Sequence, residues 1–259
     1  MNRVIVVASH RRSGTHLTLD SLRTNARDIH PAFMTLERLE PSHPKHLSVQ
    51  EFDRRLRSRS GTVLVKTHAL PEAGGWQSRE AGQFAAQLLA GSPTIYVHRD
   101  GRDVLVSLYH FVRSYSPDVA GQSFAEFLRG AHSAPDAVGL SRAAYWQHHV
   151  LAWLDRGPTV TVSYEGMLAD FAASVTAIAD RLALDLRPTL SPVDLGARPG
   201  LAHAVMRPLL RRLGLGGRQS TAIRPRSGGS GGWRAAFQAA DLAWFEAEAS
   251  EAMRRLGYA

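Results

Sequence analysis

A lysine and a histidine stand two positions apart in the segment Lys66-Thr-His-Ala-Leu-Pro71. Side chains alternate across a β-strand, so residues two apart at a strand end can point the same way. Lysine could neutralise charge on a transferring group, and a histidine that titrates near neutrality could take a proton. A lone histidine in a turn is the simpler interpretation for most of the twelve histidines. His43 and His46 have the spacing of a metal pair, but no third ligand is near in the sequence, so no metal site is predicted.

A second candidate site is the loop Ser9 to Thr15, which reads Ser-His-Arg-Arg-Ser-Gly-Thr. Gly14 would let the backbone approach a ligand, and the helix expected after it presents unpaired N–H groups. Hydroxyl groups and two arginines complete a possible phosphate cradle. The first glycine and the Gly-Lys pair of the usual P-loop are missing. Alone, the segment therefore fits a phosphate cradle and an ordinary capped turn about equally well.

A third polar set begins at Arg99, which follows another apolar run, and Ser107 lies about two helical turns further on. The two side chains could clamp a second phosphate. A charged helix cap and an exposed serine are the alternative interpretation.

Short β-branched runs must position these groups, and they are Val4–Ala8, Thr62–Val65, Thr94–Val97 and Thr159–Val162. Such nearly continuous apolar runs suit buried strands of a parallel sheet, and helical patterns separate them. We therefore predict an α/β fold: one domain over residues 1–259, with a central parallel sheet flanked by helices. In such sheets, ligands bind beyond the carboxyl ends of the strands, where the polar segments lie. The Pro-, Gly- and Arg-rich stretch 187–232 is predicted to be a flexible lid or cofactor loop.

The composition narrows the class of protein. The chain has 259 residues, a formal charge of +8 and no cysteine, which excludes disulfides and thiolate metal sites and favours anionic partners. Only Lys45 and Lys66 are lysines, so a lysine at a motif position is informative. The apolar run Val4–Ala8 is too short for a signal peptide, and no run reaches membrane-spanning length. We expect a soluble cytoplasmic protein.

The three polar segments together resemble the cytosolic-type sulfotransferase family, which uses 3′-phosphoadenosine-5′-phosphosulfate (PAPS) as donor. Ser9 to Leu17 looks like the 5′-phosphosulfate loop of the family. Lys66 to Pro71 resembles its catalytic Lys-Thr-His-x-x-Pro segment. Tyr96 to Phe111 is similar to its 3′-phosphate segment. The similarity continues through Trp146–Trp153 and Val162–Met167, and through Arg226–Trp233 near the C-terminus.

The resemblance implies that His68 is the general base and that Lys66 and Arg12 stabilise the transferring group. It implies donor binding by Arg12, Ser13, Gly14, Thr15, His16, Leu17, Arg99, Ser107, Tyr164, Arg226, Ser227 and Gly228. Tyr164 would lie near the adenine. The desulfated product would be adenosine 3′,5′-bisphosphate (PAP), and no metal is required. Trp146, His149 and Trp153 share a helix face and are interpreted as packing residues.

The chain departs from the family pattern at several positions. Arg12 stands where the family has lysine, which keeps the charge but presents a planar fork. Ser227 replaces another lysine, and Arg224 or Arg226 could compensate. Gly232 replaces an aspartate beside Trp233. The dimer motif expected after Trp233 is absent from residues 234–243, so the usual dimer is not implied and the oligomeric state stays open.

We expect the acceptor to be a small molecule with a hydroxyl or amine group. Its expected binding segments are Pro31–Leu47, Glu72–Trp76, Tyr109–Ala120 and Arg187–Gly232, with Phe33, Trp76, Phe111 and Tyr115 as pocket or core residues. Two alternatives remain. A P-loop kinase would need a Gly-Lys pair and a magnesium-binding carboxylate at a strand end, and neither is evident. A nucleic-acid-binding protein is suggested by the charge alone, and we expect neither a nucleic-acid nor a membrane partner.

Overall fold

The computed structural model describes residues 2–72, 75–134, 137, 139–193 and 229–258. The predicted lid 187–232 therefore lies largely outside the described residues, as do Arg226, Ser227 and Gly228.

A parallel sheet forms the centre of the described structure. Its strands are β1 (Arg3–Ser9), β2 (Met34–Thr35), β3 (Thr62–Thr67), β4 (Thr94–His98) and β5 (Val160–Ser163). Their order across the sheet is β2-β3-β1-β4-β5, and every pairing is parallel. The predicted fold class is confirmed. The order reverses at β1, which lies between β3 and β4.

Helices connect the strands and cover both faces of the sheet. They are α1 (Thr15–Asn25), α2 (Val49–Arg57), α3 (Arg79–Ala90), α4 (Gly101–Arg113), α5 (Pro117–Ala120), α6 (Phe124–Arg129), α7 (Arg142–Arg156), α8 (Tyr164–Ala169), α9 (Phe171–Leu182) and α10 (Ala239–Leu256). Short 3₁₀ turns span Leu36–Leu39 and Gly232–Ala235. None of these described helices is both long and apolar enough to cross a lipid bilayer.

Alternate residues of β1 supply the two main cores. Ile5 and Val7 pack with the apolar side chains of α1 and α9, whereas Val6 and Ala8 pack with those of α4, α7 and α10. These four residues are fully buried, as the continuous apolar run predicted. β1 is therefore fixed from both faces and from both neighbouring strands.

Two features of the sheet differ from the prediction. β2 was not predicted, because a two-residue strand carries too little periodicity to be recognised. β5 was predicted as a buried strand, but only Val162 in it is buried. β5 pairs on one side alone, with β4, so it forms an edge of the described sheet.

A cluster of two buried histidines and one partly buried histidine lies between the end of β1 and α7. His10 and His149 are 3% and 0% exposed, and their rings meet edge-on at 5.4 Å between centroids. His132 stacks on Tyr145 at 3.9 Å. Burial lowers the pKa of His10 to about 4 and that of His132 to about 3, and it lowers the pKa of His149 well below the ordinary 6.5.

These buried histidines predict acid-labile folding. Below pH 6.5 the unfolded chain binds protons that the folded cluster does not, so stability is complete above that pH and falls as the pH drops towards the folded-state values. The expected slope is about 1.4 kcal/mol per pH unit for each histidine involved. Urea unfolding measured between pH 7.5 and 4.5 would test this. In His132→Phe, the new ring can still stack on Tyr145 but cannot be protonated. The free energy of unfolding should then fall less steeply with decreasing pH than in the wild type. An equal slope would contradict the contribution of His132 to acid lability.

Candidate active site

Three connections leave the sheet side by side at its carboxyl edge. The parallel register pairs Ala8 with Thr67 and Ser9 with Val97. The loop after β1, the end of β3 and the end of β4 are therefore adjacent. The structure thus brings together the three polar segments predicted from the sequence.

The loop between β1 and α1 has an unusual backbone. Arg12 adopts φ 72° and Gly14 adopts φ 101°. A side chain at Gly14 would force its surroundings to shift, because a Cβ there would lie 2.6 Å from Cδ2 of Tyr164. The hydroxyls of Ser9 and Thr15 lie 2.5 Å apart and tie the two ends of the loop together.

The N-terminus of α1 is left uncapped. Gly14 occupies the N-cap position, no side chain bonds the first-turn N–H groups, and the first turn holds no acidic residue. The next two α-helices along the chain are capped by Ser48 and Ser78. The free N–H groups and the helix dipole make this end of α1 favourable for an anion.

His68 is held in one tautomer by the end of β1. Its Nδ1 lies 2.8 Å from the carbonyl oxygen of Ser9, which can only accept, so Nδ1 carries the hydrogen. The lone pair is then on Nε2, which lies 3.2 Å from Nζ of Lys66. Burial, and then the charge of Lys66, hold the pKa of His68 well below 6.5, so the ring is neutral and able to accept a proton at neutral pH.

The backbone around His68 is also fixed. Nε1 of Trp153 donates to the carbonyl of Ala69 at 3.1 Å, and the carboxylate of Glu37 accepts from the backbone N–H of His68. Trp153 and Trp146 are 0% and 1% exposed, and His149 is fully buried. The prediction that this face of α7 serves packing is consistent with that burial.

Arg12 reaches across the loop to α4. Its Nε donates to Oγ of Ser107 at 3.1 Å, and its guanidinium lies over the ring of Phe111 at 4.9 Å. Ser107 was predicted to face a phosphate, and here it also joins α4 to the phosphate loop. Burial, and then the charge of Arg99, lower the pKa of Arg12.

Arg99 lies on the other side of the loop, beyond the end of β4. Its guanidinium stacks on Tyr164 at 4.4 Å, and it donates to the carbonyl of Gly229 at 2.9 Å. Its buried Nε has no hydrogen-bond partner among the described residues. That N–H can serve an anion bound between Arg99 and the loop.

The remaining predicted site residues in and after the loop are mostly buried. Ser13 and Thr15 are nearly fully buried, at 1% and 4%. The side chain of Leu17 packs in the core with α9, so only its backbone N–H can face a ligand. His16 meets Phe33 edge-on at 5.6 Å.

Sequence reasoning missed two side chains at the site. Asp103 accepts from the backbone N–H groups of Gly231 and Trp233, at 2.5 and 2.9 Å, and so attaches the C-terminal segment to α4. Its place one turn after Arg99 was a signal that could have identified it. Glu37 follows the unpredicted β2 and carried no comparable signal.

The comparisons with known proteins give a family from a family model and a fold from solved structures. The family model described as a sulfotransferase domain matches residues 92–257. No curated protein sequence matches the chain. A crystal structure of mouse sulfotransferase SULT7A1 complexed with PAP is similar with a TM-score of 0.62 and 19% identity, over 97% of this chain and 85% of that one.

Two further solved structures have the same fold. Retinol dehydratase in complex with androsterone and the inactive cofactor PAP matches with a TM-score of 0.53 and 19% identity, over 96% of this chain and 80% of that one. A sulfotransferase from Alicyclobacillus acidocaldarius matches with a TM-score of 0.53 and 16% identity, over 82% and 94%. At these identities the structures show the fold, and the family model shows the family.

The family model covers well over half of the chain. The prediction of a PAPS-dependent sulfotransferase is confirmed at the level of the family. The chain belongs to the sulfotransferase domain family.

Proposed function

We propose that the chain transfers a sulfonate group from PAPS to a hydroxyl or amine of a small-molecule acceptor, with His68 as general base and Lys66 and Arg12 as charge stabilisers. The observation that carries this proposal is the pair of contacts made by His68. Nδ1 is bound to Ser9, and Nε2 faces the ammonium group of Lys66 at 3.2 Å.

The described residues fit a nucleotide with two anionic groups. The uncapped end of α1, Arg12, Ser13 and Thr15 would hold the phosphosulfate. The Nε of Arg99, which is buried and has no hydrogen-bond partner among the described residues, and the hydroxyl of Ser107 would hold the 3′-phosphate. Tyr164 would pack near the adenine. Arg226, Ser227 and Gly228 stay predicted 3′-phosphate ligands outside the described residues.

The donor supplies an activated sulfonate whose S–O bond to phosphate breaks as the bond to the acceptor forms. Nε2 of His68 takes the acceptor proton, and the hydrogen bond to Ser9 keeps the ring oriented while it becomes positively charged. Lys66 then donates to the sulfonate oxygens instead of to His68. Arg12 and the N–H groups of α1 stabilise charge on the departing phosphate.

The proposed acceptor site contains aromatic side chains next to Arg12 and His16. Two structures of retinol dehydratase, whose fold is similar, contain androsterone and retinol, respectively. Phe111 lies under Arg12, and Tyr115 packs against it at 5.2 Å while remaining 58% exposed. These two rings, with Phe33 near His16, are candidates for an apolar acceptor wall.

Nucleotide selectivity separates a sulfotransferase from a kinase. We expect PAP to raise the thermal unfolding temperature far more than ATP or an oligonucleotide, because the proposed site offers two separate anion-binding regions, one at the N-terminus of α1 and one beside Arg99. At 100 times its Kd, a ligand adds about 2.7 kcal/mol of stability. Differential scanning fluorimetry would measure the ranking, and a larger shift with ATP would favour the kinase.

Replacement of His68 should separate chemistry from binding. In His68→Asn, the amide can still donate to the Ser9 carbonyl, but no base remains at the position of Nε2. We expect turnover to fall by about 10²- to 10⁴-fold, with PAP affinity by calorimetry nearly unchanged. Full activity in this variant would remove His68 from the mechanism.

The contact between Gly14 and Tyr164 gives a test of the donor site. Gly14→Ala forces a Cβ against the Tyr164 ring at 2.6 Å and puts alanine at φ 101°. Alanine in this backbone region costs about 1–2 kcal/mol, and we expect PAP affinity to fall at least about tenfold because a misplaced cradle loses aligned donors.

The matched control is Gly157→Ala, at φ 73° with no atom within 4 Å of the new Cβ. This variant also places alanine at a positive φ, but its Cβ meets no neighbouring atom, so PAP affinity should be retained. Equal PAP binding by Gly14→Ala and the wild type would show that this loop does not bind the donor.

A further inference from the structure

We propose that Glu37 positions the pair Lys66 and His68, by holding the end of β3 and by balancing the charge of the lysine. This inference rests on the proposed function only for the role of the pair. The contacts of Glu37 with β3 are independent of it.

Glu37 lies in the 3₁₀ turn that follows β2, and β2 pairs with β3 through Thr35 and Lys66. The Oε1 atom of Glu37 accepts from the hydroxyl of Thr67 at 3.1 Å and from the backbone N–H of His68. Oγ1 of Thr67 in turn accepts from the N–H of Ala69 at 3.1 Å. One carboxylate oxygen thus sets the course of the chain where it leaves β3, between the two catalytic side chains.

The other oxygen of the same carboxylate is the unusual feature. Oε2 of Glu37 is buried and has no hydrogen-bond partner among the described residues. A buried carboxylate oxygen without a partner is unfavourable, because desolvation is not repaid by a hydrogen bond. A compensating electrostatic role is therefore expected, and the nearby cation is Lys66.

The charges that face Lys66 come from several elements. They are Glu37 from the 3₁₀ turn, Arg11 from the phosphate loop, His16 from α1, His43 from the segment before α2, and His68 from its own strand end. Burial lowers the pKa of Lys66 most, Arg11 lowers it further, and the carboxylate of Glu37 raises it. Glu37 thereby favours the charged ammonium that the sulfonate oxygens require.

The sequence makes this directly measurable, because Lys45 is the only other lysine. NMR of the protein labelled at the lysine side chains would give two ε-signals, which Lys45→Arg assigns. In Glu37→Gln, the amide oxygen can still accept from Thr67 and His68 while the charge is lost. We expect the titration midpoint of Lys66 to move to lower pH and that of Lys45 to stay unchanged.

The matched control is Glu40→Gln, in the same segment, where the carboxylate contacts the backbone N–H of Gln77 at 3.3 Å. It should leave the midpoint of Lys66 in place. If Glu37→Gln does not fold, Glu37→Met fills a similar volume without charge and is titrated in the same way. An unchanged Lys66 midpoint in a folded, uncharged variant, or an equal shift in Glu40→Gln, would overturn the inference.

Once an acceptor substrate has been identified, the pH dependence of kcat/KM gives a second test. Without the negative charge of Glu37, Lys66 should lose its proton at lower pH, so the alkaline limb of the kcat/KM profile should move to lower pH in Glu37→Gln. A purely structural role of Glu37 would instead lower kcat/KM by the same factor at every pH. The titration uses no acceptor and no donor. A failure of the proposed function, seen as no PAP stabilisation, is therefore distinguishable from a failure of the Glu37 assignment.

Discussion

The parallel pairing of β1 with both β3 and β4 is the constraint on which the rest of the site depends. Strands that run the same way end at the same edge, so three loops that are far apart in sequence must meet there. The register is set by buried side chains on both faces of β1, and a slip of one residue would exchange the two cores. Packing in the sheet therefore determines the distance between His68 and the Ser9 carbonyl.

The electrostatic consequence is a concentration of positive charge in a partly dehydrated space. Burial lowers the pKa values of Lys66, Arg12 and His68, which shows that each charged form is disfavoured before any anion is bound. An anionic nucleotide relieves that cost. The same arrangement keeps His68 uncharged at neutral pH, with Nε2 unprotonated.

Several features of this arrangement could be predicted from the sequence because they depend on local signals. Continuous apolar runs identified four strands, and polar residues after three of them identified the site. The two-residue β2 gave no periodic signal, and so Glu37 could not be placed next to Lys66. Contacts such as Arg12 with Ser107 depend on helix packing across the loop, which no local pattern encodes. The burial of Leu17 was likewise invisible within a motif that suggested ligand contact.

The left-handed backbone at Arg12 sets backbone stability against a side-chain contact at one position. Arginine at φ 72° is strained by about 1–2 kcal/mol relative to glycine, which adopts such angles freely. Glycine, however, would discard the guanidinium that joins the loop to Ser107 on α4. Stability of the backbone alone would favour glycine at this position, whereas the contact with α4 requires the arginine side chain. Backbone strain at Arg12 therefore accompanies a side-chain hydrogen bond that fixes the loop against α4.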